Sequence, residues 1–297
     1  MPITGTHPAP SHVLAHLSDP HLIAGTDLLH GRIDTREQLR RALERVEGCA
    51  EHIDALVVSG DLTDRGDAAA YELFLAMVTP VVKRLGCALV VTGGNHDERR
   101  AMARVLHGVD TDEPQDAVTH VRGLRIIAID SAVPGYHHGG FSDPQYAWLT
   151  RELATSAEHG TILVIHHAPI VYRSPVMQLL DFREAGRLQA TIEGSDVRAI
   201  LSGHLHVTSF GTLGGVPVLV AGGVSYVDDV GAPRELLMAV DGPQSWNLVE
   251  VHPDHVVGTV VPVAQHETWP ALSQAVQDHM ATVPEPDQAE VFSRKPS

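Results

Sequence analysis

The sequence predicts an α/β fold in which two packed β-sheets are flanked by helices. In the first half, short apolar runs rich in Val, Ile and Leu alternate with amphipathic stretches, a pattern typical of parallel strands covered by helices. After about residue 207, β-rich pieces follow one another through Gly, Pro and Asp turns, which indicates antiparallel strands. No Pro/Gly-rich linker divides the chain. We therefore expect a single domain over residues 1–263 and a C-terminal extension over 264–297 that is partly a flexible tail.

Six buried strands are predicted in the first part of the chain, each short and closed by Gly, Asp or His. They cover residues 12–18, 55–59, 87–92, 124–130, 161–166 and 197–202. The pieces that indicate antiparallel strands are VTSFGTL, GGVPVLVAGG, ELLMAVDG, SWNLVEV and HVVGTVVPV. Strand and helix therefore alternate until about residue 202, and strands alone follow.

Three helices are predicted between the early strands. The first begins behind Asp34, an expected N-cap, and its apolar residues recur at helical spacing. These residues are Leu39, Leu43 and Val46. The second helix covers 67–85, with Pro80 as a kink or break. The third begins at Ser142, because a capping residue followed by Pro144 is a typical helix start.

Composition excludes several classes of protein. The chain carries 21 Lys and Arg against 37 Asp and Glu, a net charge of −16 that opposes tight binding to long nucleic acids. A small anionic substrate is compatible with this charge, because bound metal ions reverse the local field. Two cysteines make no disulfide framework, and no run is long and apolar enough for membrane insertion. We expect a soluble cytoplasmic protein, and the sequence leaves open whether it forms a homo-oligomer.

Five short motifs of metal-capable side chains stand where predicted strands end. They are Asp19-x-His21, Gly60-Asp61-x-x-Asp64, Gly94-Asn95-His96-Asp97, His166-His167 and Gly203-His204-x-His206. Ligand sites of open α/β sheets form beyond the carboxyl ends of the strands, so these motifs are expected at one edge. One such motif alone is weak evidence, but five in order at strand ends are strong evidence.

The residue types indicate the kind of metal site. Asp, Asn and neutral His suit Mn, Fe, Co, Zn or Mg rather than a soft thiolate site. The motifs offer at least seven candidate ligands, which are too many for one tetrahedral ion and suit two ions that share a bridging carboxylate. Two metals about 3.5–4 Å apart hold the attacking and leaving oxygens of a phosphoryl displacement.

In these motifs the chain resembles the calcineurin-like metallophosphoesterases over roughly residues 12–263. It looks most like the bacterial class III cyclic nucleotide phosphodiesterases, with which it shares LSDPHL, GDLTDRG, GGNHDER, LRIIAIDSAVPGYHHG, HHAP and LSGHLH. The resemblance implies a four-layer αββα sandwich of two mixed β-sheets flanked by helices. It also implies two divalent ions per chain, Mn or Fe, with Zn, Co or Ni as alternatives.

The resemblance assigns the ligands residue by residue. It implies one ion held by Asp19, His21, Asp61 and His206. It implies a second ion held by Asp61, Asn95, His166 and His204, with Asp61 as the bridge. Two residues outside these sets are implied in catalysis: His96 acts on the substrate, and Asp64 holds this histidine in place.

Three features of the substrate site remain as hypotheses. Asn95 and His96 are expected to contact the substrate phosphate, and Arg65 is a possible further contact. The loop 135–139 has two interpretations, a pocket wall that brings His138 to the substrate or an exposed turn. His167, next to a ligand, is expected to serve in packing or in support of that ligand.

The resemblance implies hydrolysis of a phosphodiester in a cyclic nucleotide, such as 3′,5′-cAMP or 2′,3′-cAMP, by a metal-bridging hydroxide. An alternative on the same ligands is hydrolysis of glycerophosphodiesters or other small phosphoesters. A third alternative, an inactive metal-binding scaffold, is disfavoured because every ligand position is filled. The ligands cannot separate the two enzymes, whereas the pocket walls around 135–141 and 172–182 can.

Overall fold

The computed structural model describes residues 7–49 and 52–295. Residues 11–264 form one compact unit. The described residues 7–10 and 265–295 belong to a second, small unit. Within the described ranges, no helix is long and apolar enough to cross a membrane.

The strands of the large unit form two large sheets and one small one. In chain order they are β1 His12–Leu17, β2 Ala55–Ser59, β3 Ala88–Thr92, β4 Ala117–Val121, β5 Leu124–Ile129, β6 Thr161–His167, β7 Val197–Gly203, β8 Ser209–Leu213, β9 Val216–Val220, β10 Val227–Asp228, β11 Ala239–Val240, β12 Ser245–Val251 and β13 Val256–Pro262. The first sheet has the order β13-β12-β1-β2-β3 and the second the order β4-β5-β6-β7-β9-β8. Strands β10 and β11 form a separate two-stranded sheet.

Both large sheets are mixed, as the family resemblance implies. Strands β1, β2 and β3 are parallel, and the antiparallel pair β12–β13 joins them beside β1. Strands β5, β6, β7 and β9 are parallel, with β4 and β8 antiparallel at the two edges. The parallel strands predicted from the first half are thus divided between two sheets.

The helices of the large unit cover the outer faces. They are α1 Thr35–Glu47, α2 Ala68–Leu85, α3 Arg99–Met102, α4 Asp143–Glu152, α5 Pro175–Gln178 and α6 Ala185–Ile192, and one π-helical turn, Ala103–His107, follows α3. The Asp34 side chain caps α1, and Ser142 forms a capping box at α4, so both predicted N-caps are confirmed. Helix α2 continues through Pro80, because its buried face packs on the sheet and offsets the lost hydrogen bond.

Three buried apolar clusters define four layers. One cluster joins α1 and α2 to the first sheet through side chains such as Leu39, Phe74 and Leu56. A second lies between the two sheets, where residues such as Val57 meet residues such as Val164. The third joins α4 and α6 to the second sheet. The predicted αββα sandwich is therefore confirmed.

One local prediction is wrong. ELLMAVDG forms only the two-residue strand β11, and the residues before it make turns whose apolar side chains are exposed. The C-terminal extension over 264–297, predicted to be partly a flexible tail, contains the helices α7 Gln274–Thr282 and α8 Glu285–Ser293. Ser273 caps α7, and Pro284 stands at the N-cap position of α8, so the start signals were present in the sequence.

Candidate metal centre

The carboxyl ends of strands from both sheets meet at one edge of the sandwich. Ser59 at the end of β2 pairs with Thr92 at the end of β3, so the two loops that follow leave the sheet side by side. The His166 Nδ1 then donates to the carbonyl of Ser59 across the two sheets at 2.7 Å. All five motifs predicted from the sequence therefore meet at this edge.

The backbone of these motifs is left-handed at five non-glycine residues. Such a φ is uncommon for residues other than glycine, although aspartate and histidine adopt it more often than most, and strain of this kind persists only where the surrounding structure imposes it. The residues are Asp19 (φ 55°), His21 (44°), Asp61 (47°), His204 (69°) and His206 (52°). This conformation lets side chains at i and i+2 turn toward one centre, as the two D-x-H and H-x-H motifs require.

The glycines that precede the ligands leave room for close approach. A Cβ at Gly60, which has φ 99°, would overlap the ring of His166. A Cβ at Gly203 would overlap the side chains of Ser18 and Asp19. Glycine at these two positions therefore lets candidate ligands from different sheets come into contact.

The first cluster contains Asp19, His21, Asp61 and His206, and all four side chains are buried. The His21 Nδ1 donates to Asp64 at 3.3 Å and the His206 Nδ1 donates to the carbonyl of Tyr226 at 3.2 Å. Each Nε2 is therefore left with a free lone pair, and the two Nε2 atoms face each other 3.1 Å apart. A cation between them satisfies both lone pairs, so the donor set fits a metal ion.

The second cluster joins His166, Asn95 and His204 to the same aspartate. The His166 Nε2 lies 3.2 Å from the Asn95 Oδ1 and 3.3 Å from the Asp61 Oδ2. The His204 Nε2 donates to the carbonyl of Leu180 at 3.1 Å, which leaves its Nδ1 free to bind a metal. An amide oxygen, a carboxylate and two imidazoles again make an O/N ligand set.

Asp61 lies between the two clusters. Its Oδ2 is 3.4 Å from the His21 Nε2 and 3.3 Å from the His166 Nε2, while its Oδ1 accepts the backbone N–H of His96 at 2.8 Å. Burial would raise the pKa of Asp61, but His166 and His21 hold it well below its ordinary value. A buried ionised carboxylate that contacts both clusters is the arrangement that a bridging ligand requires.

The protonation of the histidines also suits metal binding. Burial lowers the pKa of His204 to about 3 and that of His206 to about 4, so both are neutral at neutral pH. Burial also lowers the pKa of His166, but the Asp61 and Asp19 carboxylates outweigh it and raise the value to about 9. The carboxylates that hold a proton on His166 would hold a divalent ion in its place.

His167 lies near His166 and His204 but has no nitrogen left for a metal. Its Nδ1 is 2.8 Å from the Ser131 hydroxyl, and its Nε2 is 3.2 Å from the carbonyl of His137. Because both ring nitrogens are in hydrogen bonds, His167 supports the site from behind.

His96 and Asp64 stand beside the first cluster. The His96 Nδ1 donates to the backbone carbonyl of Asp64 at 3.0 Å and lies 3.7 Å from its Oδ1. The Asp64 carboxylate is closer to His21, at 3.3 Å. Asp64 therefore orients His96 mainly through its backbone and orients His21 through its side chain. Asp64 does not cap the helix that follows it, because the N-cap of α2 is Asp67.

Asp97 belongs to the third of the predicted motifs, but no role was predicted for it. Its carboxyl group accepts the backbone N–H groups of Leu62, Thr63 and Gly94 at 2.9–3.2 Å. It also accepts the Tyr71 hydroxyl at 2.9 Å. Asp97 thus fixes the loop that carries Asp61 against its own loop. The only sequence signal was its place directly after His96.

A cavity of about 510 Å³ opens onto both clusters. Asp61, Asn95, His96, His204 and His206 line it. The neighbouring loop contributes His137, whose Nδ1 is 3.1 Å from the Asn95 Nδ2.

Two residues expected at the substrate do not line this cavity. His138 lines a neighbouring cavity with Arg183, and Arg65 is exposed beside Asp64 and Asp27. Tyr226 lines the main cavity and stacks on His206 with ring centroids 3.9 Å apart. No motif or spacing in the sequence indicated a role for Tyr226.

The four-layer fold and the buried Asp/His edge define a phosphoesterase of the metal-dependent type. The chain matches the calcineurin-like phosphoesterase family over residues 12–208 and belongs to that family. The fold, the family and the enzyme class predicted from the sequence are confirmed.

Curated relatives cover most of the chain. It is 41% identical over 263 residues to a cAMP/cGMP dual specificity phosphodiesterase of Mycobacterium tuberculosis, covering 88% of this chain and 83% of the relative. It is also 41% identical over 263 residues to a protein of Rhodococcus erythropolis described as a probable cyclic nucleotide phosphodiesterase, covering 88% and 87%. A glycerophosphodiester phosphodiesterase of Enterobacter lignolyticus is 29% identical over 202 residues, covering 65% and 70%.

A solved structure shares the fold. A dimetal phosphatase from Danio rerio superposes with a TM-score of 0.59 at 14% identity, covering 86% of this chain and 98% of that one.

Proposed function

We propose that the chain is a phosphodiesterase that hydrolyses a cyclic nucleotide, such as 3′,5′-cAMP or 2′,3′-cAMP, with two divalent ions bound at the edge of the sandwich. The ligands of one ion are Asp19, His21, Asp61 and His206. Those of the other are Asp61, Asn95, His166 and His204. The observation that carries the proposal is the single Asp61 oxygen within 3.4 Å of a histidine from each cluster.

The chain supplies the ligands and the ions supply the positive charge. Among the described residues that line the cavity there is no Lys or Arg, so the protein itself offers the phosphodiester monoanion little positive charge apart from that of His96. Two divalent ions would neutralise charge on the phosphate oxygens and lower the pKa of an attacking water molecule. The Asn95 amide, held between His166 and His137, is positioned to donate to a phosphate oxygen.

His96 is the group that we assign to the leaving oxygen. The bond from its Nδ1 to the Asp64 carbonyl leaves Nε2 available at the wall of the cavity. Burial lowers its pKa, but Asp61, the Asp64 carbonyl and the Asp64 carboxylate together raise it above the ordinary value. A raised pKa favours the protonated form of the histidine, which is the form that can protonate a departing alkoxide.

Hydrolysis of a glycerophosphodiester is the second candidate. The relative from Enterobacter lignolyticus supports it, and the same ligands serve any phosphodiester that reaches them. A parallel assay of 3′,5′-cAMP, 2′,3′-cAMP and glycerophosphoethanolamine with Mn separates the two candidates.

We expect kcat/KM for a cyclic nucleotide to exceed that for glycerophosphoethanolamine by about tenfold or more, the discrimination that an apolar pocket provides. Preference for glycerophosphoethanolamine would favour the second candidate. Absence of turnover on all three diesters, in protein shown to contain metal, would refute the proposed function.

A further inference from the structure

Part of the cavity wall has no role in binding metal. Its side chains are apolar. They come from α5, from the residues that follow α5 and β7, and from the β10–β11 hairpin. They are Met177, Leu180, Leu205, Leu237 and Met238, which we call the apolar wall. The sequence analysis expected residues 172–182 to line the pocket but did not foresee the hairpin.

The two segments that carry most of the apolar wall are tied to each other. The Tyr172 hydroxyl donates to the Asp228 carboxylate at 2.6 Å. The Arg173 guanidinium donates to the carbonyl of Val230 and, at 3.4 Å, to that of Ala232. Because these bonds join the start of the α5 segment to the β10–β11 hairpin, the wall is formed before any ligand arrives.

The hairpin side chains of the wall are incompletely buried by the protein. Leu237 is 50% exposed and Met238 is 48% exposed, although both line the cavity. When a ligand covers exposed apolar area at the mouth of a cavity, the burial of that area makes the free energy of binding more favourable. The wall therefore favours an apolar group on the ligand, next to the end that binds the metal ions.

We propose that the apolar wall binds the nucleobase of the substrate. Two of the six methionines, Met177 and Met238, line this one cavity, and methionine sulfur packs well against aromatic rings. A purine offers a flat face of this kind, whereas glycerol and ethanolamine offer hydroxyl and ammonium groups that lose hydration at such a wall. This inference rests on the proposed function. It assigns a binding surface to the base, which is the part of the substrate that the metal ligands do not select.

The test compares ligands that differ only in the base. The variant Leu237→Ser/Met238→Ser removes the exposed half of the wall, and Leu236→Ser is its control. Leu236 is 53% exposed in the same hairpin and does not line the cavity. Hydrolysis is measured on 3′,5′-cAMP and on the abasic ribose 3′,5′-cyclic phosphate. Binding of 5′-AMP and of ribose 5-phosphate to the Mn-loaded protein is measured by calorimetry.

We expect the double variant to raise KM for 3′,5′-cAMP and Kd for 5′-AMP by about 5- to 30-fold, the effect of losing two partly buried apolar contacts. The abasic ligands should change less than about twofold, and Leu236→Ser should match the parent.

Two results separate the wall from the catalytic proposal. If the cyclic nucleotide and its abasic analogue are hydrolysed equally, and the double variant changes neither rate, the proposed role of the apolar wall is refuted and the proposed function stays intact. Tight 5′-AMP binding that the double variant weakens, without hydrolysis of 3′,5′-cAMP, would support the wall and refute the proposed function.

Discussion

Replacement of Asp61 by asparagine is expected to abolish hydrolysis and the binding of both ions. The asparagine keeps the size of the side chain but removes the charge that lies within 3.4 Å of His21 and His166. Two metal ions supply several kcal/mol of transition-state stabilisation, so kcat should fall by about 10³- to 10⁵-fold. In the parent, saturating Mn should raise Tm, because a ligand that binds only the folded state stabilises it. In Asp61→Asn that rise should disappear.

Asp54→Asn is the matched control for this substitution. Asp54 is also a buried aspartate, but it precedes β2 whereas Asp61 follows it, and it binds the Val13 N–H at 2.9 Å and Arg122. Its loss should lower Tm and leave metal content and kcat unchanged. The bridging assignment is refuted if Asp61→Asn retains the parent's metal content.

Replacement of His96 by alanine is expected to retain both ions and to slow the chemistry. His96 contributes no atom to the two ligand sets, and its imidazole is held by the Asp64 carbonyl at 3.0 Å. A lost general acid costs about 10²- to 10⁴-fold in kcat when the leaving group is an alkoxide, as in 3′,5′-cAMP. The loss should be smaller for bis-p-nitrophenyl phosphate, whose leaving group needs little protonation.

Asp64→Asn separates the two contacts of Asp64. The substitution leaves the carbonyl that orients His96 but changes the carboxylate that contacts the His21 Nδ1 at 3.3 Å. We therefore expect weaker metal binding. Because the Asp64 carboxylate also helps to raise the His96 pKa, we expect the ratio between the two substrates to change in the same direction as in His96→Ala but by less. For the His96→Ala variant, equal losses of kcat on cAMP and on bis-p-nitrophenyl phosphate would show that His96 is not the general acid.

The fold was predictable because its signals are local. Strands such as β2 and β6 are continuous apolar runs, and α1 and α4 begin at capping residues. The division of the parallel strands between two sheets was not derivable from these runs, because a buried parallel strand has the same apolar sequence pattern in either sheet. β4 was missed because its AVTHV sequence alternates weakly and is half-exposed at a sheet edge.

The candidate site was predictable as far as the motifs reach. Aspartate and histidine at strand ends, such as Asp61 and His166, can be recognised as candidate ligands from their residue type and their position. Residues that act through three-dimensional contacts do not: Asp97 accepts hydrogen bonds from a loop about 35 positions earlier in the chain. Leu237 and Met238 resembled part of a strand, because nothing local shows that a hairpin will turn them toward a cavity.

The most direct test of the account is a metal titration followed by two measurements on the same samples. The protein is stripped with a chelator, checked by elemental analysis, and then titrated with Mn while bound metal and 3′,5′-cAMP hydrolysis are recorded. We expect the stripped protein to be inactive, and both signals to saturate together at about two ions per chain, as a site with a bridging carboxylate requires. Full hydrolysis by protein shown to be free of metal, or saturation of both signals at a single ion, would contradict the account.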